Sequence, residues 1–183
     1  TILIAHRLST IRQMDRIIVT GGAGYVGSVL VPLLLQQGFA VRVLDRFRHR
    51  SPGLLGCIRD VNMDIIKGDV RDRGDLRRAL QDVQYVIPLA AIVGAPSCEE
   101  SPDEATTTNI GAIRSLIDMV DPGQRIIFSN TNSGYGTSKP GEVCTEDTPL
   151  KPISHYGMTK ADAERIVMDR EESISLRFAT AFG

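Results

Sequence analysis

Tyr156 and Lys160 stand four residues apart in Tyr156-Gly157-Met158-Thr159-Lys160, a spacing that places both on one face of a helix. A phenol with an ordinary pKa of about 10 is a poor base at neutral pH, but a neighbouring ammonium favours its phenolate, so the pair is a candidate acid/base. Spacing alone does not make a site, because Tyr and Lys at this separation more often decorate a helix surface. His155, next to Tyr156, reads as a solvated helix-start residue. Cys57, Cys98 and Cys144 are odd in number, widely spaced and without CxxC or His partners. Neither a disulfide framework nor a metal site is expected from them, and a reducing cytoplasmic compartment is the default.

A second group of residues lies far upstream. Thr20-Gly21-Gly22-Ala23-Gly24-Tyr25-Val26-Gly27 spaces its glycines GxxGxxG, directly after a strand pattern and at the opening of a helix pattern. Gly21 permits a tight turn, Gly24 lets the backbone approach a pyrophosphate, and Gly27 lets the helix pack close to the sheet. The N–H groups of the helix N-terminus, at Tyr25, Val26 and Gly27, then face the phosphates. Asp45 closes the next strand, 18 residues after Gly27, where a carboxylate accepts from adenosine ribose hydroxyls and repels a 2′-phosphate. Strand, glycines, helix, strand and terminal acid in register predict dinucleotide binding, and Asp45 favours NAD over NADP. Arg46, immediately after it, is the residue type that would favour the phosphate. A bound nicotinamide cation would add to the ammonium of Lys160 in favouring the Tyr156 phenolate.

Elements that hold these residues can be read from periodicity. Strands are expected at Arg16–Thr20, Ala40–Asp45, Met63–Lys67, Gln84–Ala91, Arg125–Ser129 and Ser173–Phe178. Helices are expected at Gly24–Gln37 with Gly38 as C-cap, at Asp72–Leu80, Ala105–Val120 and Ser154–Asp169. Alternation of the two implies βαβ units and an α/β fold with a doubly wound parallel sheet, whose ligands sit beyond the carboxyl ends of the strands. The 183 residues suit one domain, and 42% hydrophobic with 23% charged residues excludes a disordered or collagen-like chain. No apolar run approaches the ~18 residues of a membrane span, and the N-terminus does not read as a secretory signal. With 21 Lys plus Arg against 22 Asp plus Glu, the net charge of −1 calls for no nucleic-acid or membrane partner. Arg42, Arg46, Arg48 and Arg50 form a short basic edge that reads as a solvated loop.

Taken together, these motifs resemble the extended short-chain dehydrogenase/reductase family, particularly its nucleotide-sugar epimerases and dehydratases, over about Asp15 to Gly183. The carriers are TGGAGYVG at 20–27, Asp45, Gly68-Asp69-Val70-Arg71-Asp72, Leu89-Ala90-Ala91, Asn109, the run Phe128 to Gly136, and YGMTK at 156–160. The resemblance implies an NAD-binding Rossmann domain at 15–183. It implies that Thr131, 25 residues before Tyr156, hydrogen-bonds the reacting sugar oxygen while Tyr156 moves its proton. Lys160 would bind the nicotinamide ribose and lower the pKa of Tyr156. Asp69 and Val70 match an adenine contact, Leu89, Ala90 and Ala91 the strand end beneath the cofactor, and Asn109 a supporting helix residue. The implied reaction is transient hydride transfer from a sugar carbon of a nucleotide-sugar substrate to NAD, followed by return of the hydride, which epimerises that carbon. Family dehydratases usually place Asp-Glu after the catalytic Thr. Asn132 and Ser133 stand there instead and argue for epimerisation or simple oxidoreduction. Many relatives pair through a four-helix interface, which the helical patterns at Ala105–Val120 and Ser154–Asp169 would suit, so the resemblance leaves a homodimer open.

Two stretches sit apart from this pattern. Residues 1–14 form a foreign or extension segment: Thr1 to Ile11, continuing through Asp15–Val19, resembles the switch-histidine segment of ATP-binding cassette transporter ATPases, with His6 in the place that contacts a γ-phosphate. No GxxxxGK[ST] phosphate loop is present, so ATP hydrolysis is not expected, and the stretch reads as the mark of a chimera. At the other end, Leu176 to Gly183 resembles the strand and loop entering the family's substrate-binding region. The substrate domain is therefore largely missing from this stretch, and NAD binding is expected to outlast turnover. The competing readings are a non-catalytic NAD(H)-binding module and a non-functional chimera.

Overall fold

The computed structural model describes residues 15–48, 52–137 and 143–179. Residues 1–14, with His6 and the proposed extension segment, lie outside them, as does Arg50.

β1 (Arg16–Thr20) and β2 (Ala40–Asp45) are apolar at consecutive positions, and each strand buries both faces. Ile18, Leu44, Val86, Ile126 and Phe128 point to one side of the sheet, where they pack on Leu76, Ala79, Leu116, Ala163 and Val167. Ile17, Val19, Val41, Val43 and Ile87 point to the other, against Val31, Leu34 and Leu35. The period-2 alternation thus builds two cores, one on each face. The remaining strands are β3 (Met63–Lys67), β4 (Tyr85–Pro88), β5 (Arg125–Thr131) and β6 (Ser173–Phe178). All pairings are parallel, in the order β3-β2-β1-β4-β5-β6. The order reverses between β1 and β4, and a doubly wound sheet opens its crevice at that switch point.

The helices are α1 (Gly27–Gln36), α2 (Arg73–Leu80), α3 (Ala95–Glu100), α4 (Pro102–Thr106), α5 (Ala112–Ile117) and α6 (His155–Met168). Asp72 caps α2 by accepting from the Asp75 N–H at 2.8 Å, and Ser154 caps α6 by accepting from the Gly157 N–H at 3.1 Å. Among the described residues no helix is long and apolar enough to cross a membrane.

Several boundaries differ from the sequence reading for local reasons. β4 stops at Pro88 because the Leu89 N–H makes a bond to Thr20 O at 3.0 Å and the Ala90 N–H then turns to the Thr20 hydroxyl at 3.3 Å. β5 runs on to Thr131 because its pairing with β6 continues to Phe178. α1 begins at Gly27 rather than Gly24, since the residues before it form turns. The helix expected at Ala105–Val120 is interrupted by a π-helical segment at Thr107–Gly111 that holds Asn109. Arg42 is not part of a solvated loop. It is buried on β2, where its guanidinium bonds Asp64 at 2.7 Å and the C-terminal carbonyls of α2 at Ala79 and Gln81.

Candidate active site

The turn between β1 and α1 is shaped by its glycines in distinct ways. Gly21 has φ +69°, and a Cβ there would fall 2.6 Å from the Ala90 nitrogen, so the ends of β1 and β4 meet only because this residue has none. A Cβ on Gly27 would fall 2.4 Å from Gly22 O. Gly27 therefore packs α1 against the turn itself rather than against the sheet. Gly22, not singled out from sequence, lies beneath the turn, where a Cβ would meet the Val43 side chain at 2.8 Å. Gly24 differs, because a Cβ there would approach only Gly21 O, at 3.1 Å. Tyr25 and Val26 follow with exposed side chains. Val26 is the N-cap of α1, and no side chain caps that helix, unlike α2 and α6. An uncapped helix N-terminus under an open backbone is the arrangement that accepts an anion.

Asp45 ties this turn to β2. Its Oδ2 accepts from the Ala23 N–H at 2.9 Å and its Oδ1 from the Phe47 N–H at 2.7 Å. A carboxylate has about four lone-pair sites, so these two bonds leave acceptor capacity for a ribose. Beside it, the Arg71 guanidinium is bonded two-fold to Asp69 and holds that carboxyl below its usual range. Val70 buries its side chain in the core, so its main chain is what borders the crevice. Leu89, Ala90 and Ala91 line the exit of β4 and are half-buried.

Across the switch point, β5 ends at Thr131 and α6 begins at His155. The Thr131 hydroxyl accepts from the Ser133 N–H at 3.2 Å and donates to the Ser133 hydroxyl at 3.2 Å, capping the turn at Asn132–Tyr135. Burial raises the Tyr156 pKa, and the nearby Thr131 hydroxyl, which favours the phenolate, only partly offsets this. This phenol is shifted here by burial, Thr131 and Cys98, while Lys160 is engaged by the main chain of β5. It is buried, its Nζ donates to Ser129 O at 2.6 Å, and it lies 4.2 Å over the Phe128 ring. Burial lowers its pKa to about 8, against the pull of Glu164 one helical turn on.

Asn109 is almost fully buried. Its Oδ1 accepts from the Ile92 N–H at 2.8 Å, and its Nδ2 donates to Ile92 O and to Thr159 Oγ1, both at 3.0 Å. With its amide engaged by protein groups, it fastens the loop after β4 to the first turn of α6. His155 is half-buried rather than free in solvent, and its Nε2 lies 3.2 Å from the Thr106 hydroxyl and 3.3 Å from Pro102 O. Sequence reasoning also passed over Glu164. Its carboxylate accepts from Arg177 at 3.0 and 3.1 Å and from the Ser175 hydroxyl, and those bonds keep its carboxyl below the usual range despite burial. Its position four residues after Lys160 was the available signal. Among the described residues, no cluster of three His, Cys, Asp or Glu side chains suits a metal ion.

A glycine turn feeding an uncapped helix, an acid closing β2, and Thr131, Tyr156 and Lys160 gathered at the end of β5 therefore share one sheet edge. The profile of the NAD dependent epimerase/dehydratase family matches residues 17–183. The chain belongs to that family. Similar family members include UDP-glucose 4-epimerase 1 of Oryza sativa subsp. japonica, 35% identical over 168 residues, covering 86% of this chain and 47% of the relative. UDP-glucuronic acid 4-epimerase from Bacillus cereus, solved with UDP-glucuronic acid and NAD, superposes with a TM-score of 0.79 at 27% identity, covering 88% of this chain and 55% of that one. UDP-glucose 4-epimerase from Brucella ovis, solved with NAD, gives a TM-score of 0.77 at 29% identity, with 89% and 51% covered. The chain thus spans about half the length of these family members.

Proposed function

We propose that this chain is the cofactor-binding half of an NAD-dependent UDP-sugar 4-epimerase. The observation that carries the reading is the placement of Thr131 at the end of β5 and Tyr156 at the start of α6 on the same sheet edge as the uncapped N-terminus of α1. In this reading Gly21, Gly24, Tyr25, Val26 and Gly27 cradle the pyrophosphate, and Asp45 accepts from the adenosine ribose. Asp69 and Val70 border the adenine, while Leu89, Ala90 and Ala91 floor the crevice. Lys160 holds the nicotinamide ribose, and Asn109 supports the site by fixing the Ile92 loop.

Bound NAD supplies the hydride acceptor and a positive charge beside Tyr156. That charge would offset the burial of Tyr156 and favour its phenolate, the form that would take the proton of the reacting sugar hydroxyl and, as the phenol, later return it. Thr131 keeps that oxygen in place through its own hydroxyl. Asn132 and Ser133 offer no carboxylate for water elimination, which supports epimerisation over dehydration. The unmatched half of the relatives' length is where we place the grip on the nucleotide-sugar. Turnover needs the sugar carbon held in near-attack geometry, so turnover by these 183 residues is expected to be weak. A second reading, an NAD(H)-holding module without turnover, draws on the engagement of Lys160 with Ser129 O. We place the protein in the cytoplasm, a reading its free cysteines support, and without nucleic-acid or membrane partners; a homodimer is the assembly that light scattering would check.

Calorimetric titration of the chain with NAD, followed by mixing the loaded chain with UDP-glucose or UDP-glucuronic acid, tests the proposal. Saturable NAD binding and appearance of reduced-cofactor absorbance support it. NAD binding without that absorbance selects the module reading, and no NAD binding overturns both.

A further inference from the structure

Three guanidinium groups meet two carboxylates at the adenine end of the crevice. Arg71 is bonded two-fold to Asp69, through Nε and Nη2. Arg46 and Arg48, which follow Asp45 out of β2, both turn to Glu104, and Arg46 Nε also lies 3.4 Å from Asp69 Oδ2. Arg46 Nη1 lies 2.8 Å from Glu104 Oε1, and Arg48 Nη1 lies 3.0 Å from Oε2. Glu104 is the least exposed of the three, at 23% against 38% for Arg46 and 57% for Arg48. It belongs to α4, after β4, so these bonds join segments 58 and 56 residues apart across the switch point.

Position gives the cluster its meaning. An acid at the end of β2 receives the ribose 2′-hydroxyl of NAD, whereas an arginine nearby accommodates the 2′-phosphate of NADP. This chain has both: Asp45, then Arg46 and Arg48. A phosphate is a strong partner for guanidinium groups, which take it through paired N–H donors. A carboxylate that already accepts those donors competes with it.

We propose that Glu104 is a cofactor-specificity residue: it occupies Arg46 and Arg48 as an internal anion, and so denies the 2′-phosphate of NADP the two guanidinium groups that would bind it. The inference rests on the dinucleotide-binding reading above. It divides the discrimination between two acids, with Asp45 facing the ribose and Glu104 silencing the arginines that would otherwise offset it. The same bonds hold the Glu104 carboxyl below its usual range, Arg46 contributing most, so it stays an anion across the neutral pH range.

The test is the ratio of the NADP and NAD dissociation constants, measured by calorimetry on the full chain, with a thermal melt of each variant. Glu104→Gln keeps shape and removes charge, and it should tighten NADP about tenfold relative to NAD, equivalent to about 1.4 kcal/mol. Asp103→Asn makes the same change of net charge one residue away and should leave the ratio within about twofold. Adding Arg46→Gln and Arg48→Gln to Glu104→Gln should return the ratio to its starting value. An unchanged ratio in a folded Glu104→Gln chain that still binds NAD overturns the inference and leaves the dinucleotide reading standing. An equal shift in Asp103→Asn also overturns it, because the effect would then be unspecific charge. Failure of the unaltered chain to bind NAD defeats the dinucleotide reading itself.

Discussion

Raising the pH should weaken NAD binding, because Lys160 carries its charge in a buried place. Its pKa of about 8 lies well below the ordinary 10.5, with burial as the main cause and Glu164 as the opposing one. If only the ammonium form engages the ribose, apparent affinity scales with the charged fraction. For a pKa of about 8 that fraction is about nine-tenths at pH 7 and about one-tenth at pH 9, so Kd should rise roughly tenfold between them. Tyr156, Cys57 and Cys98 have raised values, and so do not account for a transition centred near 8. Calorimetry in buffers of matched ionic strength gives the curve, and Lys160→Met should flatten it while weakening binding at pH 7. A flat profile in the unaltered chain, or an unchanged slope in Lys160→Met, refutes the reasoning.

The same residue makes a linked statement about stability, with the opposite sense. Because its folded value is depressed, the unfolded chain binds more protons between pH values of about 8 and 10.5, so this group's contribution to stability rises with pH through that window. Below it, the buried charge costs roughly 3 kcal/mol, from a depression of about 2.5 units at 1.36 kcal/mol each. Lys160→Met should therefore raise the melting temperature at pH 7 even as it impairs binding. The gain is reduced by the lost bond to Ser129 O.

Three further outcomes separate packing from ligand contact. Gly27→Ala sets a Cβ 2.4 Å from backbone oxygen and should lose about 3 kcal/mol of stability in denaturant titration, whereas Gly24→Val, whose Cβ would meet only Gly21 O at 3.1 Å, should lose less stability than that and lose NAD binding by calorimetry. Tyr156→Phe should bind NAD within about twofold of the unaltered chain, yet reduce single-turnover cofactor reduction by UDP-glucose by about 100-fold or more. Asn109→Leu removes three hydrogen bonds, leaves the Ile92 N–H without its partner and leaves Ile92 O only the Cys98 thiol, so urea unfolding should show a loss of about 2–4 kcal/mol.

The sequence exposed the sheet because strands buried on both faces are continuous β-branched runs, and Arg16-Ile17-Ile18-Val19-Thr20 has no other reading. It also exposed the tight turn at Gly21 and the acid closing β2 at Asp45, which accepts from the Ala23 N–H within one βαβ unit, whereas the Ala90 backbone that meets Gly21 lies beyond β4. Contacts between distant segments were hidden. Nothing local to Asn109 announces a bond to Ile92, and its helix-like pattern conceals the π-helical turn that holds it. Arg42 was misread for the same reason, since a charge in a basic run looks solvated until the C-terminus of α2 is brought over it. Gly22 was passed over because the GxxGxxG spacing draws the eye to its neighbours. The Val43 side chain that forbids it a Cβ lies on another strand.

One short helix joins the two ends of the crevice. α4 has five residues, too few to be stable by propensity, and only Ala105 among them is buried. Polar bonds fix it instead. On the adenine side Glu104 takes Arg46 and Arg48, and on the other Thr106 and Pro102 meet His155, the residue before Tyr156. Asn109, just beyond, binds Ile92 and Thr159 on the same path. Charge at the adenine end and geometry at the phenol therefore share one small element with little apolar anchoring. Such an element can shift locally at low cost, which a helix packed into either core could not do. Glu104→Gln should therefore loosen α4 locally while the sheet beneath stays fixed by its two cores, with faster amide exchange at Ala105 and Thr106 and unchanged exchange at Ile18 and Val43.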